Sequence, residues 1–305
     1  KRYLDSGNFI SELLIRNEFG CSDSTTLLIT VYPKPKAAFS WVGKCINRPI
    51  DFTDNSTRFG TPIKENIWRL DNGAAISNTS NISTTYNSIG SKTITLTTFD
   101  INGCVDSSTR LLYINPSPIV DFEFDKRDQC FKDNVFLAKN TSTVPQGKIS
   151  KYSWYLNNTY RGDSTILHFS QPSWGSFPLK LKAETDSMCN DSIEKQLTVH
   201  PQNTLDIQVN AAIQCEQNNL FTFTNNSWLP LGTATYKWDI STGTSFIGDT
   251  LPPQKFGLAG GYFVKVFSET DKGCKDTTRL LLKVLFNPSV DFTVKDVCEN
   301  DSAFF

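Results

Sequence analysis

Eight cysteines recur at nearly fixed spacing along the 305-residue chain. One series closes strand-like runs at steps of 83, 85 and 85 residues: Cys21, Cys104, Cys189 and Cys274. A second series keeps the same period with steps of 85, 85 and 83 residues: Cys45, Cys130, Cys215 and Cys298. The chain has no CxxC motif and only two histidines, so neither a zinc site nor a thiol-exchange motif is indicated. Regular lone cysteines predict disulfides, and disulfides indicate an oxidising, extracytoplasmic compartment.

Similarity at a fixed period identifies the chain as a tandem array of one unit of about 85 residues. Proline-bearing linkers of a few residues separate the units, at Pro33, Pro116, Pro201 and Pro288. The predicted domains are the C-terminal half of a repeat (1–32), three whole repeats (33–116, 117–201 and 202–287) and the start of a further repeat (288–305). A chain that begins inside a repeat is expected to be a piece of something longer.

The hydrophobic pattern of each unit has a period of two. In the first whole repeat, Ile94 and Leu96 alternate with threonines, which is typical of a half-buried strand, and no segment shows sustained helical periodicity. Each unit has one mid-unit tryptophan, predicted to be a core anchor: Trp68, Trp154 and Trp238. About seven short strands per unit predict an all-β fold of tandem immunoglobulin-like β-sandwiches. The short Pro-bearing linkers favour an extended rod.

The charge balance excludes several functional classes. With 30 basic and 31 acidic residues, the chain has no nucleic-acid footprint and no polybasic membrane patch. No run of 18 apolar residues exists, so no membrane insertion is expected in this segment. His168 and His200 stand apart from any serine or cysteine nucleophile at a recognisable spacing, so we do not expect an enzyme.

An aspartate stands two residues after each cysteine of the first series, at Asp23, Asp106, Asp191 and Asp276. Its recurrence in every unit favours a structural turn, in which the carboxylate accepts hydrogen bonds from nearby backbone N–H groups. Calcium at the repeat junctions is the alternative, with co-ligands from the opening strands at Asp121, Asp206 or Asp291. Calcium needs six or more oxygen ligands, and no dense acidic loop is present, so no cofactor is predicted.

Several recurring motifs resemble the PKD domain, an immunoglobulin-like module. They are Pro-x-x-x-Phe at the start of a unit, Phe-Thr-x-Asn-Ser, a tryptophan followed by a Gly or Asn turn, Tyr-x-x-x-Gly, and a closing Gly-Cys-x-Asp-Ser. The family's Trp-Asp-Phe-Gly-Asp-Gly signature is degraded here to Trp68–Gly73, Trp154–Thr159 and Trp238–Gly243. The tryptophan and a turn remain, while the central glycine is absent.

The version with paired cysteines resembles the tandem PKD repeats of Bacteroidota surface proteins, including giant gliding-motility adhesins. That resemblance implies export by the type IX secretion system and a location on the cell surface of a Gram-negative bacterium. The implied partners are neighbouring repeats of the same chain and other cell-surface or secretion-system proteins. Asp-Ser or Asp-Thr followed by a small or aliphatic residue resembles the O-glycosylation acceptor of that group; the alternative is that these pairs are ordinary Asp-Ser turns. The candidates are Ser24, Ser164, Ser187, Ser192, Thr250, Thr277 and Ser302.

Two pairing schemes fit the cysteine spacing. Within repeats, the bonds are Cys45–Cys104, Cys130–Cys189 and Cys215–Cys274. Across junctions, they are Cys45–Cys189 and Cys130–Cys274. We favour the junction scheme, because the early cysteine follows the first strand and the late cysteine follows the penultimate strand. A strand of seven residues separates its ends by roughly 23 Å, whereas bonded cysteines need Cα atoms within about 7 Å.

These features predict a structural stalk segment of a large bacterial cell-surface adhesin or filament, projecting a distal binding region and bearing load. The alternative is an array of accessory modules on a secreted hydrolase that binds polysaccharide or protein. Such an array would carry an exposed aromatic row at one repeated position. The extra aromatics Tyr160, Trp174 and Trp228 have no equivalents in the other units, which leaves a site in a single unit open.

Overall fold

The computed structural model describes residues 1–71, 73–77 and 80–303, and within that part the chain is all-β, with strands and no helix. The chain divides into two compact units. Unit 1 consists of Lys1–Phe122, Asn140–Trp154 and Leu181–Ile193. Unit 2 consists of Glu123–Lys139, Tyr155–Lys180 and Glu194–Phe305.

The chain begins with a two-stranded antiparallel ribbon, β1 (Gly7–Arg16) and β2 (Ser22–Val31). Both of its faces carry exposed apolar side chains, including Ile10, Leu13 and Leu28. A hairpin alone cannot bury these side chains.

The strands of residues 33–116 form two sheets. They are β3 (Phe39–Val42), β4 (Pro49–Asp54), β5 (Ile63–Leu70), β6 (Ala75–Ser77), β7 (Asn81–Thr85), β8 (Gly90–Asp100) and β9 (Val105–Ile114). One sheet has the order β3-β4-β7 and the other the order β6-β5-β8-β9. Their inner faces enclose a core that includes Phe39, Ile50, Phe52, Trp68, Ile94, Leu96, Leu112 and Ile114.

Residues 117–201 have a similar arrangement. Their strands are β10 (Phe122–Phe124), β11 (Asp128–Cys130), β12 (Phe136–Asn140), β13 (Ile149–Leu156), β14 (Thr159–Gly162), β15 (Ile166–Phe169), β16 (Gly175–Thr185) and β17 (Asn190–His200). The sheet orders are β10-β12-β15 and β11-β17-β16-β13-β14. Trp154 is completely buried and meets Phe122 edge to face, with ring centroids 5.0 Å apart.

Residues 202–287 carry β18 (Ile207–Val209), β19 (Ile213–Cys215), β20 (Phe223–Asn225), β21 (Ala234–Ile240), β22 (Ser245–Ile247), β23 (Gly260–Thr270) and β24 (Lys275–Leu285). The sheet orders are β18-β20 and β19-β24-β23-β21-β22. The core includes Phe221, Phe223, Trp238, Val264 and Val266.

The predicted fold class is confirmed, and the strand pattern explains it. Ile94 and Leu96 are fully buried, while the threonine between them is part-buried on the other face of β8. The three repeated tryptophans are also fully buried, as predicted for core anchors. Alternating side chains thus supply one inner face per sheet, and two such faces make an immunoglobulin-like sandwich.

In each whole repeat, the early cysteine pairs in parallel with the end of the last strand, which the sequence pattern does not predict. β11 pairs in parallel with the end of β17, and β19 pairs in parallel with the end of β24. In the first whole repeat, the same position is a single parallel bridge between Cys45 and Asn115. The early cysteine of each repeat therefore lies beside the point where the last strand of that repeat ends.

Candidate functional site

Two disulfides each join one repeat to the next. In unit 1, Cys45 is bonded to Cys189, with Cα atoms 5.7 Å apart. In unit 2, Cys130 is bonded to Cys274, with Cα atoms 5.4 Å apart. Each bond spans 144 residues of sequence, which is the junction scheme of the two considered above.

The position of the last strand explains why the structure does not pair cysteines within a repeat. Cys104 directly precedes β9, and Cys45 bridges Asn115, directly after the end of β9. A ten-residue strand is roughly 33 Å long, whereas bonded cysteines need Cα atoms within about 7 Å. In unit 2, Cys215 and Cys274 lie at opposite ends of β24 in the same way.

The hairpin turn before each late cysteine is fixed by a side chain that the sequence reasoning missed. The acceptor lies four residues before the cysteine and receives its backbone N–H: Asn17 Oδ1 for Cys21 (3.0 Å), Asp100 Oδ1 for Cys104 (2.8 Å), Thr185 Oγ1 for Cys189 (3.2 Å) and Thr270 Oγ1 for Cys274 (3.1 Å). Asn, Asp and Thr all offer a short side-chain oxygen, so the chemistry recurs although the residue changes.

Asp100 is the one charged member of this set. Burial alone would raise the pKa of Asp100, but hydrogen bonds from Thr61 Oγ1 and from backbone N–H groups of the turn outweigh it. The pKa of Asp100 therefore lies below its ordinary value, so the carboxylate stays ionised while it holds the turn.

The aspartates that follow the late cysteines are not in the turns, so their predicted location was wrong. Each is the second residue of the strand after the turn: Asp23 of β2, Asp106 of β9, Asp191 of β17 and Asp276 of β24. They do accept backbone N–H groups. Asp106 receives Ala37 N at 2.9 Å, and each of the other three receives the next residue's N at 2.9 Å.

An ion pair accompanies each disulfide. Arg48 Nη2 lies 3.1 Å from Asp191 Oδ1 in unit 1, and Lys132 Nζ lies 3.0 Å from Asp276 Oδ1 in unit 2. The hydrogen bond from its ammonium to Asp276 raises the pKa of Lys132. The residues pair across the same repeat boundaries as the cysteines, so each boundary combines a covalent bond with an electrostatic contact.

The remaining cysteines have no disulfide partner in the described part of the chain. Cys21, Cys215 and Cys298 are exposed. Cys104 is part-buried, with its Sγ 4.0 Å from the carbonyl oxygen of Tyr32.

The residues considered for calcium are not gathered together. Across residues 1–71, 73–77 and 80–303, no group of three or more His, Cys, Asp or Glu side chains could hold a metal ion. Asp191 and Asp276 already face cationic side chains. Of the candidate co-ligands, Asp121 and Asp206 donate their backbone N–H groups to serine hydroxyls at 3.1 Å each, and Asp291 is exposed.

The two histidines lie in strands rather than in a shared cleft. His168 is exposed on β15, opposite Leu137. His200 ends β17 opposite Cys130, and its carbonyl accepts Phe131 N at 2.9 Å, so the histidine is part of a ladder and not of a linker. Among the described residues, no helix is long and apolar enough to cross a membrane.

The candidate glycosylation positions are mostly at the surface. Ser187 is part-buried, and the other six are exposed: Ser24, Ser164, Ser192, Thr250, Thr277 and Ser302. Exposure is a requirement for modification of a folded chain by a bulky sugar.

No family model matches the chain, and no curated protein matches it. Solved structures with a similar fold include the fibronectin(III)-like modules of CbhA from Clostridium thermocellum, at 11% identity and TM-score 0.35, covering 54% of this chain and 95% of that one. The eight N-terminal Ig domains of Down Syndrome Cell Adhesion Molecule give 12% identity and TM-score 0.43, covering 92% of this chain and 40% of that one.

A Ca²⁺-stabilised adhesin of an Antarctic bacterium gives 11% identity and TM-score 0.29, covering 93% of this chain and 82% of that one. These neighbours are immunoglobulin-like and fibronectin-like repeats, some of them from adhesion proteins. At TM-scores this low, structural similarity does not indicate function. The function has to be inferred from the residues of this chain.

Proposed function

We propose that this chain is a stalk segment of a large bacterial cell-surface adhesin or filament, which projects a distal binding region and bears load. The observation that carries the proposal is the pair of disulfides that tie the first whole repeat to the second and the second to the third. A domain that acts by itself has no need of a covalent bond to its neighbour. A load-bearing array gains from it, because its stability is close to a sum of repeat and interface terms.

The two bonds also interleave along the sequence. Cys130 lies between Cys45 and Cys189, and Cys189 lies between Cys130 and Cys274. Tension along the chain can pass from Cys45 to Cys189, back over roughly 60 residues to Cys130, and on to Cys274. Roughly 170 of the 228 residues between Cys45 and Cys274 are then outside the load path. At about 3.5 Å per residue, the two disulfides shorten the fully stretched chain by about 600 Å.

The recurring motifs support a PKD-type repeat of the kind found in Bacteroidota surface proteins and gliding-motility adhesins. We infer export by the type IX system to the Gram-negative cell surface, where an oxidising environment preserves disulfides. Other cell-surface proteins are the proposed partners, with O-glycans on the exposed Asp-Ser and Asp-Thr positions. These inferences are supported by the motifs and by the disulfides together.

The aromatic pattern favours a stalk over a repeated binding array. Tyr160, Trp174 and Trp228 are exposed, but they occupy three different positions of the repeat. A binding array would present the same aromatic from each unit.

Single-molecule force extension tests the stalk proposal. The chain is held at its two ends and stretched with and without reductant, and a variant with all four bonded cysteines changed to alanine serves as the control. The oxidised chain is expected to stop extending about 600 Å short of the reduced chain and of the variant. Equal contour lengths for the oxidised and reduced chains would overturn the proposed load path.

A further inference from the structure

A cavity of about 620 Å³ lies in unit 2, beside the Cys130–Cys274 disulfide. Phe131, Lys132 and Trp174 of one repeat form one side. The next repeat contributes Gln202–Leu205, Trp228, Pro230 and Asp276–Thr278. The volume falls in the range of about 300–1,000 Å³ that is typical of ligand sites.

Two exposed tryptophans lie in the lining of this cavity. Trp174 is 48% exposed and Trp228 is 63% exposed, although the repeated tryptophans of the cores are completely buried. The backbone of Trp228 is fixed by two hydrogen bonds to Thr204, at 2.9 and 3.0 Å, so its indole is presented from a rigid position. Exposed indoles on a fixed backbone offer flat apolar surface with little entropy left to lose.

The polar groups of the cavity are neutral overall and incompletely satisfied. Lys132 and Asp276 pair with each other. Gln202 donates from Nε2 to the carbonyl of Lys275 at 2.7 Å, and Asn203, only 1% exposed, donates from Nδ2 to the hydroxyl of Tyr236 at 3.2 Å. Among the described residues, the amide oxygens of Gln202 and Asn203 have no hydrogen-bond partner. Both oxygens have less than 1 Å² of accessible surface, so they are unpaired acceptors inside the wall and not on its surface.

The chemistry of the lining selects the ligand class. A paired cation and anion give no net attraction to a phosphate or another strong anion. Flat aromatic surface suits the apolar C–H face of a pyranose ring, and the hydroxyls of Thr204, Thr277 and Thr278 suit its hydroxyl groups. A neutral, hydroxyl-rich ligand with flat apolar faces matches both, and the volume admits a short oligosaccharide.

We propose that the cavity lined by Trp174, Trp228, Gln202 and Asn203 is a binding site for neutral glycans. The sugar rings stack on the two indoles, and their hydroxyls hydrogen-bond to the threonine hydroxyls of the wall. The glycan site goes beyond the proposed stalk function and does not depend on it. The disulfides that support the stalk function occur at both repeat boundaries, whereas this site occurs at one of them.

The disulfide preorganises this site. A smaller adjoining cavity of about 310 Å³ is lined by Cys130 and shares Lys132, Gln202 and Asp276 with the larger one. The two walls come from different repeats, and the Cys130–Cys274 bond is a covalent link between them in addition to the peptide linker at Pro201. Cleaving it lets the walls separate, so reduction is expected to weaken glycan binding.

Isothermal titration calorimetry of the whole 305-residue chain tests the proposal. The probes are four neutral oligosaccharides: cellotetraose, chitotetraose, mannotetraose and maltotetraose. We expect saturable binding of at least one probe, with one site per chain. Trp174→Ala and Trp228→Ala should each weaken it about tenfold or more, since central aromatic anchors carry most of a site's affinity. The Cys130→Ala/Cys274→Ala variant should bind more weakly than the wild type.

The matched control is Tyr160→Ala, which removes an aromatic of similar exposure (54%) that does not line the cavity. It should bind as the wild type does. Far-UV circular dichroism of every variant checks that the fold is retained, and Trp228→Phe, which keeps a flat ring, should recover part of the affinity. Failure of all four probes to bind, or equal affinity of the wild type and both tryptophan variants, would overturn the proposal.

Discussion

The two disulfide regions of this chain are built on one plan and lined differently. The first bridge region contains Cys45–Cys189 and the ion pair Arg48–Asp191, in unit 1. The second bridge region contains Cys130–Cys274 and the ion pair Lys132–Asp276, in unit 2. Both bonds span 144 residues, and both late cysteines are completely buried.

The residues around the bonds do not match. Trp228 bridges Thr204 in the second region, whereas Thr143 bridges Ile119 at the corresponding place in the first. Trp174 directly precedes β16, where Ile89 directly precedes β8. The cavity residues Gln202 and Asn203 follow Pro201, and their counterparts Ser117 and Pro118 follow Pro116.

This difference separates two kinds of role. The positions that recur in both regions hold neighbouring repeats together, so we assign them to the stalk. The positions that change supply aromatic and amide groups only in the second region, so we assign them to ligand binding. Positions that are the same in both bridge regions therefore indicate a structural role, and positions that differ between the two regions indicate a binding site.

Loss of either disulfide should have the largest effect and the same one in both regions. Cys45→Ala/Cys189→Ala and Cys130→Ala/Cys274→Ala should each lower the free energy of unfolding by about 2–5 kcal/mol, since each bond closes a long loop. Chemical denaturation of the oxidised proteins measures this. Cys215→Ala, which removes an exposed cysteine without a disulfide partner in the described part of the chain, should match the wild type. A large loss of unfolding free energy in only one of the two double-cysteine variants would contradict the expected equivalence of the two disulfides.

Acid should lower the stability of the first whole repeat through the Asp100 carboxylate, which has no counterpart in the third whole repeat. The folded pKa of Asp100 is lowered, so its stabilising effect is complete above the unfolded pKa of about 3.9 and is lost as pH falls through the folded pKa. Thr270 holds the equivalent turn in unit 2. Asp100→Thr should therefore reduce the fall in urea midpoint between about pH 5 and pH 2.

Asp51→Asn is the control for this experiment, because Asp51 is an exposed aspartate of the same repeat. It should leave the acid dependence close to that of the wild type. An Asp100→Thr profile that overlays the wild type across the whole acid range would show that this carboxylate does not hold the turn.

The ion pairs should give the smallest effect. Three of the four side chains are about half exposed, at 55% and 47% for Arg48–Asp191 and 56% for Lys132, whereas Asp276 is 21% exposed. Arg48→Ala and Lys132→Ala should lower the urea midpoint only slightly, and Lys132→Ala more so, because Asp276 is the less exposed acid. In about 1 M NaCl both effects should nearly vanish. Effects that survive high salt would point to packing rather than charge.

Sequence periodicity predicted the sandwich because strand burial depends on local alternation. Ile94 and Leu96 are buried on one face of their strand, as their two-residue spacing predicts. Trp68 is enclosed by the aromatic and aliphatic residues of its repeat. The turn acceptors were missed, because Asn17, Asp100 and Thr185 share a role but no residue identity. Tertiary hydrogen bonding, rather than composition, reveals that role.

The cavity could not be predicted for a different reason. Trp174 and Trp228 are 54 residues apart and belong to different repeats, so only the bonded arrangement of those repeats brings them to one cavity. Their lack of equivalents was visible in the sequence. That signal marked the residues as unusual, but it did not show that they line the same surface.

Mass mapping of a non-reduced proteolytic digest tests the central claim most directly, since the load path and the preorganised cavity both depend on which cysteines are bonded. Our account predicts linked peptides that contain Cys45 with Cys189 and Cys130 with Cys274. Linked peptides that contain Cys45 with Cys104, or Cys215 with Cys274, would contradict it.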